Sequence, residues 1–97
     1  MGSETKRKHI CFHGSVQGVG FRYTAVYAAQ AAGATGWVRN ESDGTVTMEI
    51  QGTEEQIDYV IQNLDQSPYI HIRSMDVKTV PVQEDDREFY VRESWWF

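Results

Sequence analysis

The chain switches repeatedly between two hydrophobic periods, and that switching restricts it to a small set of folds. His9-Ile10-Cys11-Phe12-His13 alternates apolar and polar residues, with Ile10 and Phe12 on one face, as a strand with one buried side does. From Phe21 the spacing changes. Phe21, Ala25, Ala28, Ala29 and Ala32 make one stripe of a helix that stops at Gly33. Period two returns in Thr35-Gly36-Trp37-Val38-Arg39-Asn40. After an Asp-Gly turn at Glu41-Ser42-Asp43-Gly44, Val46, Met48 and Ile50 alternate with Thr45, Thr47, Glu49 and Gln51, predicting a hairpin whose second strand has a core face and a wet face. Thr53-Glu54-Glu55-Gln56 has the spacing of a capping box and opens a second helix with Ile57, Val60, Ile61 and Leu64 on one side. Pro68 blocks its continuation. A fourth strand is expected over residues 73–80 with Met75 and Val77 facing inward, then an acidic loop at Glu84-Asp85-Asp86 and a closing strand within residues 88–92.

Strand, helix, strand, hairpin, strand, helix, strand is the order of an α+β, ferredoxin-like (βαββαβ) sandwich, an antiparallel sheet with two helices on one face. With 97 residues, 40% of them hydrophobic, the chain fits one domain over 1–97, with residues 1–8 expected as a flexible charged lead. A formal charge of -5 and a pI near 5.0 argue against a domain devoted to holding nucleic acid, yet leave room for a small anion at one local basic point. The single cysteine, Cys11, excludes an intramolecular disulfide and points to a reducing compartment, by default the cytoplasm. No apolar run is long enough to span a bilayer, and residues 1–8 lack the apolar region of an export signal, so no membrane partner is expected.

Chemistry concentrates in His13-Gly14-Ser15-Val16-Gln17-Gly18-Val19-Gly20-Phe21-Arg22. Three glycines bend the backbone between strand and helix. They let the N–H groups of Ser15, Val16, Gln17, Gly18, Val19, Gly20 and Phe21 approach a ligand, and the first turn of the helix adds unpaired donors and the positive dipole end. Arg22 contributes a fork of donors suited to phosphate. Asn40, at the end of the second strand, carries an amide that donates and accepts at once, able to orient a water without being a strong base.

Gly14-Ser15-Val16-Gln17-Gly18-Val19-Gly20-Phe21-Arg22 resembles the phosphate-binding signature of the acylphosphatase family. Gly36-Trp37-Val38-Arg39-Asn40, followed by Gly44, Val46 and Gly52, resembles its second signature. The resemblance implies a metal-independent hydrolase without cofactors that cleaves acyl phosphates to carboxylate and inorganic phosphate. It also implies that Arg22 binds phosphate and Asn40 orients water. Phosphate or sulfate would then act as product or inhibitor, and a monomer is expected. Two departures stand out. Ser15 occupies a position that is often basic in the family, and Ala32-Gly33-Ala34 stands where Leu-Gly-Leu is common, leaving volume for larger neighbours such as Trp95-Trp96-Phe97 to fill.

Simpler roles suit the other polar residues. His9, Cys11 and His13 share a strand face, but with one cysteine and no convincing fourth ligand they read as solvated positions, and His71 has no support as a catalyst. Tyr23 and Tyr27 read as rim or surface residues, Trp37 as packing near the site. The competing function is a non-catalytic phosphate-binding regulatory module on the same fold, although a chain of 97 residues favours independent catalysis. RNA binding lacks the Lys/Arg-Gly-aromatic motif on the third strand, and a metal chaperone would need paired cysteines.

Overall fold

The computed structural model describes residues 4–93. Seven elements follow in the expected order: β1 (Lys6–Ser15), α1 (Phe21–Ala32), β2 (Thr35–Asn40), β3 (Val46–Gly52), α2 (Glu54–Gln66), β4 (His71–Val80) and β5 (Phe89–Val91). The strands form one sheet in the order β4-β1-β3-β2-β5. Four strands pair antiparallel, but β5 runs parallel to β2, with Gly36 opposite Phe89 and Val38 opposite Val91. The sheet is therefore mixed rather than wholly antiparallel. None of the described helices is long and apolar enough to cross a membrane.

One face of the sheet supplies Ile10, Phe12, Val38, Met48 and Ile50 to a core closed by Phe21, Ala25 and Ala29 of α1 and Ile57, Val60 and Leu64 of α2. Phe12 and Phe21 meet edge to face at 4.8 Å. Within the sheet, Gly36 permits the close approach of β2 to β3, because a Cβ there would stand 1.9 Å from the Glu49 carbonyl oxygen. The capping box forms as expected. Thr53 Oγ1 accepts from Gln56 N–H at 3.2 Å, and Gln56 Oε1 accepts from Thr53 N–H at 2.8 Å. Gln56 Nε2 also donates to the Ala32 carbonyl at 2.9 Å, tying the start of α2 to the end of α1. Beside it, where the small Ala32 stands, an open groove remains between Ala31, Ala32 and Tyr59. Trp95, Trp96 and Phe97, expected to fill such volume, lie outside the described residues.

The opposite face departs from expectation. Because β4 and β5 occupy opposite edges, residues 81–88 must cross about 19 Å of sheet, which eight extended residues reach. They do so over the polar face. Gln83 exchanges hydrogen bonds with the Gln51 side chain at 2.8 and 2.9 Å, and Asp86 Oδ2 accepts from Arg7 Nη1 at 2.8 Å. The face of β3 expected to be wet is thereby partly covered, with Thr47 and Gln51 buried.

The same crossing corrects the expected lead at residues 1–8, since β1 begins at Lys6 and Arg7 is only 1% exposed. The reason is charge pairing across the sheet. Arg7 Nε donates to Glu49 Oε1 at 2.8 Å, while Lys6 and Lys8, on the other face, both pair with Glu54 of α2. Burial alone would raise the Glu49 carboxyl, but hydrogen bonds from His9 and Arg7 outweigh it and hold the group below the ordinary glutamate range. Met75 and Val77 do share the core-facing side with Phe12 and Ile10, their cross-strand partners, yet remain 39% and 48% exposed. An edge strand reaches beyond the cover of the two helices.

Candidate active site

Residues 16–20 form a loop between β1 and α1 whose side chains turn away from its backbone. Val16 is 1% exposed within the core and Val19 packs against it. Gln17 Nε2 donates to the carbonyls of Glu41 and Thr45 at 2.7 and 2.9 Å. The valines anchor the loop to the core, and Gln17 clamps it to the β2–β3 hairpin that follows Asn40. Gly20 then starts α1 at φ 80°, a left-handed conformation that a side chain would strain, and it supplies no side-chain cap.

The two helix starts differ in a way that matters for anions. At α2 the Thr53–Gln56 box satisfies terminal N–H groups, and Glu54 and Glu55 already complement the dipole. At α1 the first turn carries no acidic residue and no side-chain cap, so its donors and dipole are available to a bound anion.

Gly18 and Gly20 of the loop, Arg22 of α1 and Asn40 of β2 line one concavity of about 240 Å³ with the buried Val16 and Phe21, and Tyr23 completes the lining. Arg22 and Asn40 are thus brought to one cavity from separate elements. Asn40 is positioned by its pairing with Val46 at the last rung of the β2–β3 ladder. The hairpin beyond it is fixed by the Glu41 N–H donating to the Thr45 carbonyl at 2.9 Å, and by Asp43 Oδ1, which accepts from the Thr45 N–H and hydroxyl. Those two bonds hold the Asp43 carboxyl below the ordinary aspartate range. Such a cavity presents backbone donors, a guanidinium and an amide, a set that can hold a phosphoryl group and aim a water at it.

The loop residues do not contribute alike. Ser15 is still in β1, paired with His71, and faces a separate surface cavity with Gly14, Ile72 and Arg73. Gln17 and Val19 hold the loop through their side chains, a role invisible in a glycine-rich motif read for its backbone. Tyr23, 72% exposed, lies at the rim as expected, and Tyr27 is at the surface. Trp37 packs on the polar face beneath the guanidinium groups of Arg39 and Arg92, 5.0 and 4.1 Å from its ring centroid, and does not line the cavity. No histidine lines it either; His9 pairs with Glu49 and His13 with Asp76.

Comparison with known proteins agrees with this construction. The acylphosphatase family model matches residues 8–91. Among similar sequences, an acylphosphatase of Bifidobacterium longum is 40% identical over 89 residues, covering 90% of this chain and 92% of its own length. Another, from Geobacillus kaustophilus, is 36% identical over 87 residues, covering 89% and 93%. The crystal structure of acylphosphatase from Bacillus subtilis superposes with a TM-score of 0.82 at 28% identity, covering 91% of this chain and 99% of that one. Fold, cavity and both sequence signatures converge, and the chain belongs to the acylphosphatase family of hydrolases.

Proposed function

We propose that Arg22 and the backbone of residues 16–21 bind the phosphoryl group of an acyl phosphate, without Ser15, which faces the separate cavity beside His71, and that Asn40 orients the water that attacks it. The observation that carries this reading is the convergence of Arg22, Asn40 and the uncapped start of α1 on one cavity. The carboxylate of an acyl phosphate is a good leaving group, so the remaining work is to neutralise the phosphoryl oxygens, align the water and exclude competing geometries. Water oxygen bonds to phosphorus, the phosphorus–oxygen bond to the acyl group breaks, and the carboxylate departs with the electron pair. The water's proton passes to a phosphoryl oxygen of the substrate, a route that needs no protein base and suits a cavity lined by an amide and a guanidinium. A steep pH–rate dependence traced by substitution to His9, His13 or His71 contradicts it.

Benzoyl phosphate hydrolysis in the presence of chelator tests the proposal. Wild-type turnover well above background is expected, and Arg22→Gln lowers kcat/KM by about 10²–10³-fold, as loss of a transition-state donor does. Undiminished turnover in Arg22→Gln overturns it. Inorganic phosphate, presenting the same oxygens, acts as a competitive inhibitor. The unpaired Cys11 thiol supports residence in the reducing cytoplasm.

A further inference from the structure

Outside the phosphate cavity, one cluster of side chains has no part in the reaction above. Cys11 and His13 are two residues apart on β1 and so share the polar face of the sheet. Asp76 of β4 stands directly opposite Cys11 in the ladder. The Cys11 sulfur, a His13 ring nitrogen and an Asp76 carboxylate oxygen all lie within 4.8 Å of one another. His13 Nε2 and Asp76 Oδ2 are already 2.9 Å apart. His9, His13 and Cys11 alone supply no such triangle, since His9 is engaged by Glu49. The ligand absent from the sequence pattern comes across the strand.

We propose that Cys11, His13 and Asp76 form a Zn²⁺ site with three protein ligands and water in the remaining position. Zinc bond lengths of about 2.0–2.3 Å in a tetrahedron put ligand atoms about 3.3–3.7 Å apart, so closure around the ion needs shifts of about 1 Å. The backbone need not move for this. Two adjacent, paired strands fix the Cα positions, and the Asp76 side chain, held by His13 and 79% exposed, has open space in which to adjust. A thiolate with an imidazole selects zinc over magnesium or calcium, which take oxygen ligands. Binding releases the thiol proton of Cys11, and the metal takes the place of the hydrogen now between His13 and Asp76. None of the three residues lines the phosphate cavity, so the ion would brace β1 against the edge strand β4 just before the catalytic loop, without entering the hydrolysis.

Cobalt titration of the full, untagged chain tests the site. A thiolate-to-cobalt charge-transfer band in the near ultraviolet should saturate at one ion per chain and disappear when Zn²⁺ is added. Cys11→Ser should abolish that band while benzoyl phosphate turnover stays at the wild-type level, which shows that the variant is folded. His13→Gln and Asp76→Asn should each weaken binding by about 10-fold or more. A wild-type chain with no saturable band, a band that survives Cys11→Ser, or unchanged affinity in both other variants overturns the proposal.

Discussion

Replacing Arg7 by methionine removes a guanidinium that is 1% exposed and keeps a side chain able to fill much of the same space. It leaves Glu49 and Asp86 with only 16% and 17% of their side chains open to water and without the cation each contacts at 2.8 Å. Loss of one partner from a buried ionic cluster costs about 3–5 kcal/mol, and the partial exposure of both carboxylates places this case near 3 kcal/mol. For a chain of 97 residues each kcal/mol moves Tm by about 4–8 °C, so Arg7→Met should melt about 12–24 °C below wild type by calorimetry or circular dichroism. Lys6→Met removes a far more exposed pair and should shift Tm much less. Because the cost arises from stranded carboxylates, Arg7→Met/Glu49→Gln/Asp86→Asn should recover part of the lost stability. An Arg7→Met variant melting within about 4 °C of wild type refutes the reasoning.

The acid limb of stability follows from the same cluster. Glu49 titrates lower in the folded chain than in the unfolded one, so its contribution is present above the unfolded glutamate range and is lost as pH falls through the folded value. Urea midpoints measured downward from pH 6 should therefore decline below the ordinary glutamate range, and less steeply in Arg7→Met, which lacks one cause of the shift. The Thr35 hydroxyl is buried and has no hydrogen-bond partner among the described residues, so Thr35→Val should stabilise the chain by about 1 kcal/mol in urea unfolding. The groove beside Ala32 gives Ala32→Leu room to bury its side chain and raise stability by about 1 kcal/mol, read in the same assay; a drop would show that the groove does not accept the side chain. Gln17→Ala leaves the Glu41 and Thr45 carbonyls unclamped and should lower kcat/KM for benzoyl phosphate by about 10-fold, equivalent to 1.4 kcal/mol, while Arg22 and Asn40 are unchanged.

Local signals were the ones the sequence carried well. The α2 capping box, the α1 stop at Gly33 and the hairpin at Asp43-Gly44 depend on residues within a few positions of one another, and each formed where its spacing predicted. The ferredoxin-like order fixes where β1 and β2 end, which brings Arg22 and Asn40 to one cavity with Val16, Gly18, Gly20 and Phe21, whereas Ser15, Gln17 and Val19 of the same signature do not line it. What was not legible depends on pairing across the sheet. Arg7 looks like part of a solvated basic lead until Glu49 and Asp86, 42 and 79 residues away, arrive beside it. Asp76 joins Cys11 and His13 only through the β1–β4 register, and the acidic loop becomes a strap only because β4 and β5 lie at opposite edges. The exposure of Met75 and Val77 has the same origin, since alternation gives a residue's face and not whether a helix covers it.

The central claim divides the cavity into a part that holds the phosphoryl group and a part that aims the water. Phosphate binding and benzoyl phosphate turnover, measured side by side on Asn40→Ala and Arg22→Gln, test that division most directly. Asn40→Ala should bind inorganic phosphate within about 2-fold of wild type while kcat falls by about 10²–10³-fold, and Arg22→Gln should lose both binding and turnover. Wild-type turnover in Asn40→Ala, or wild-type phosphate affinity in Arg22→Gln, contradicts the account.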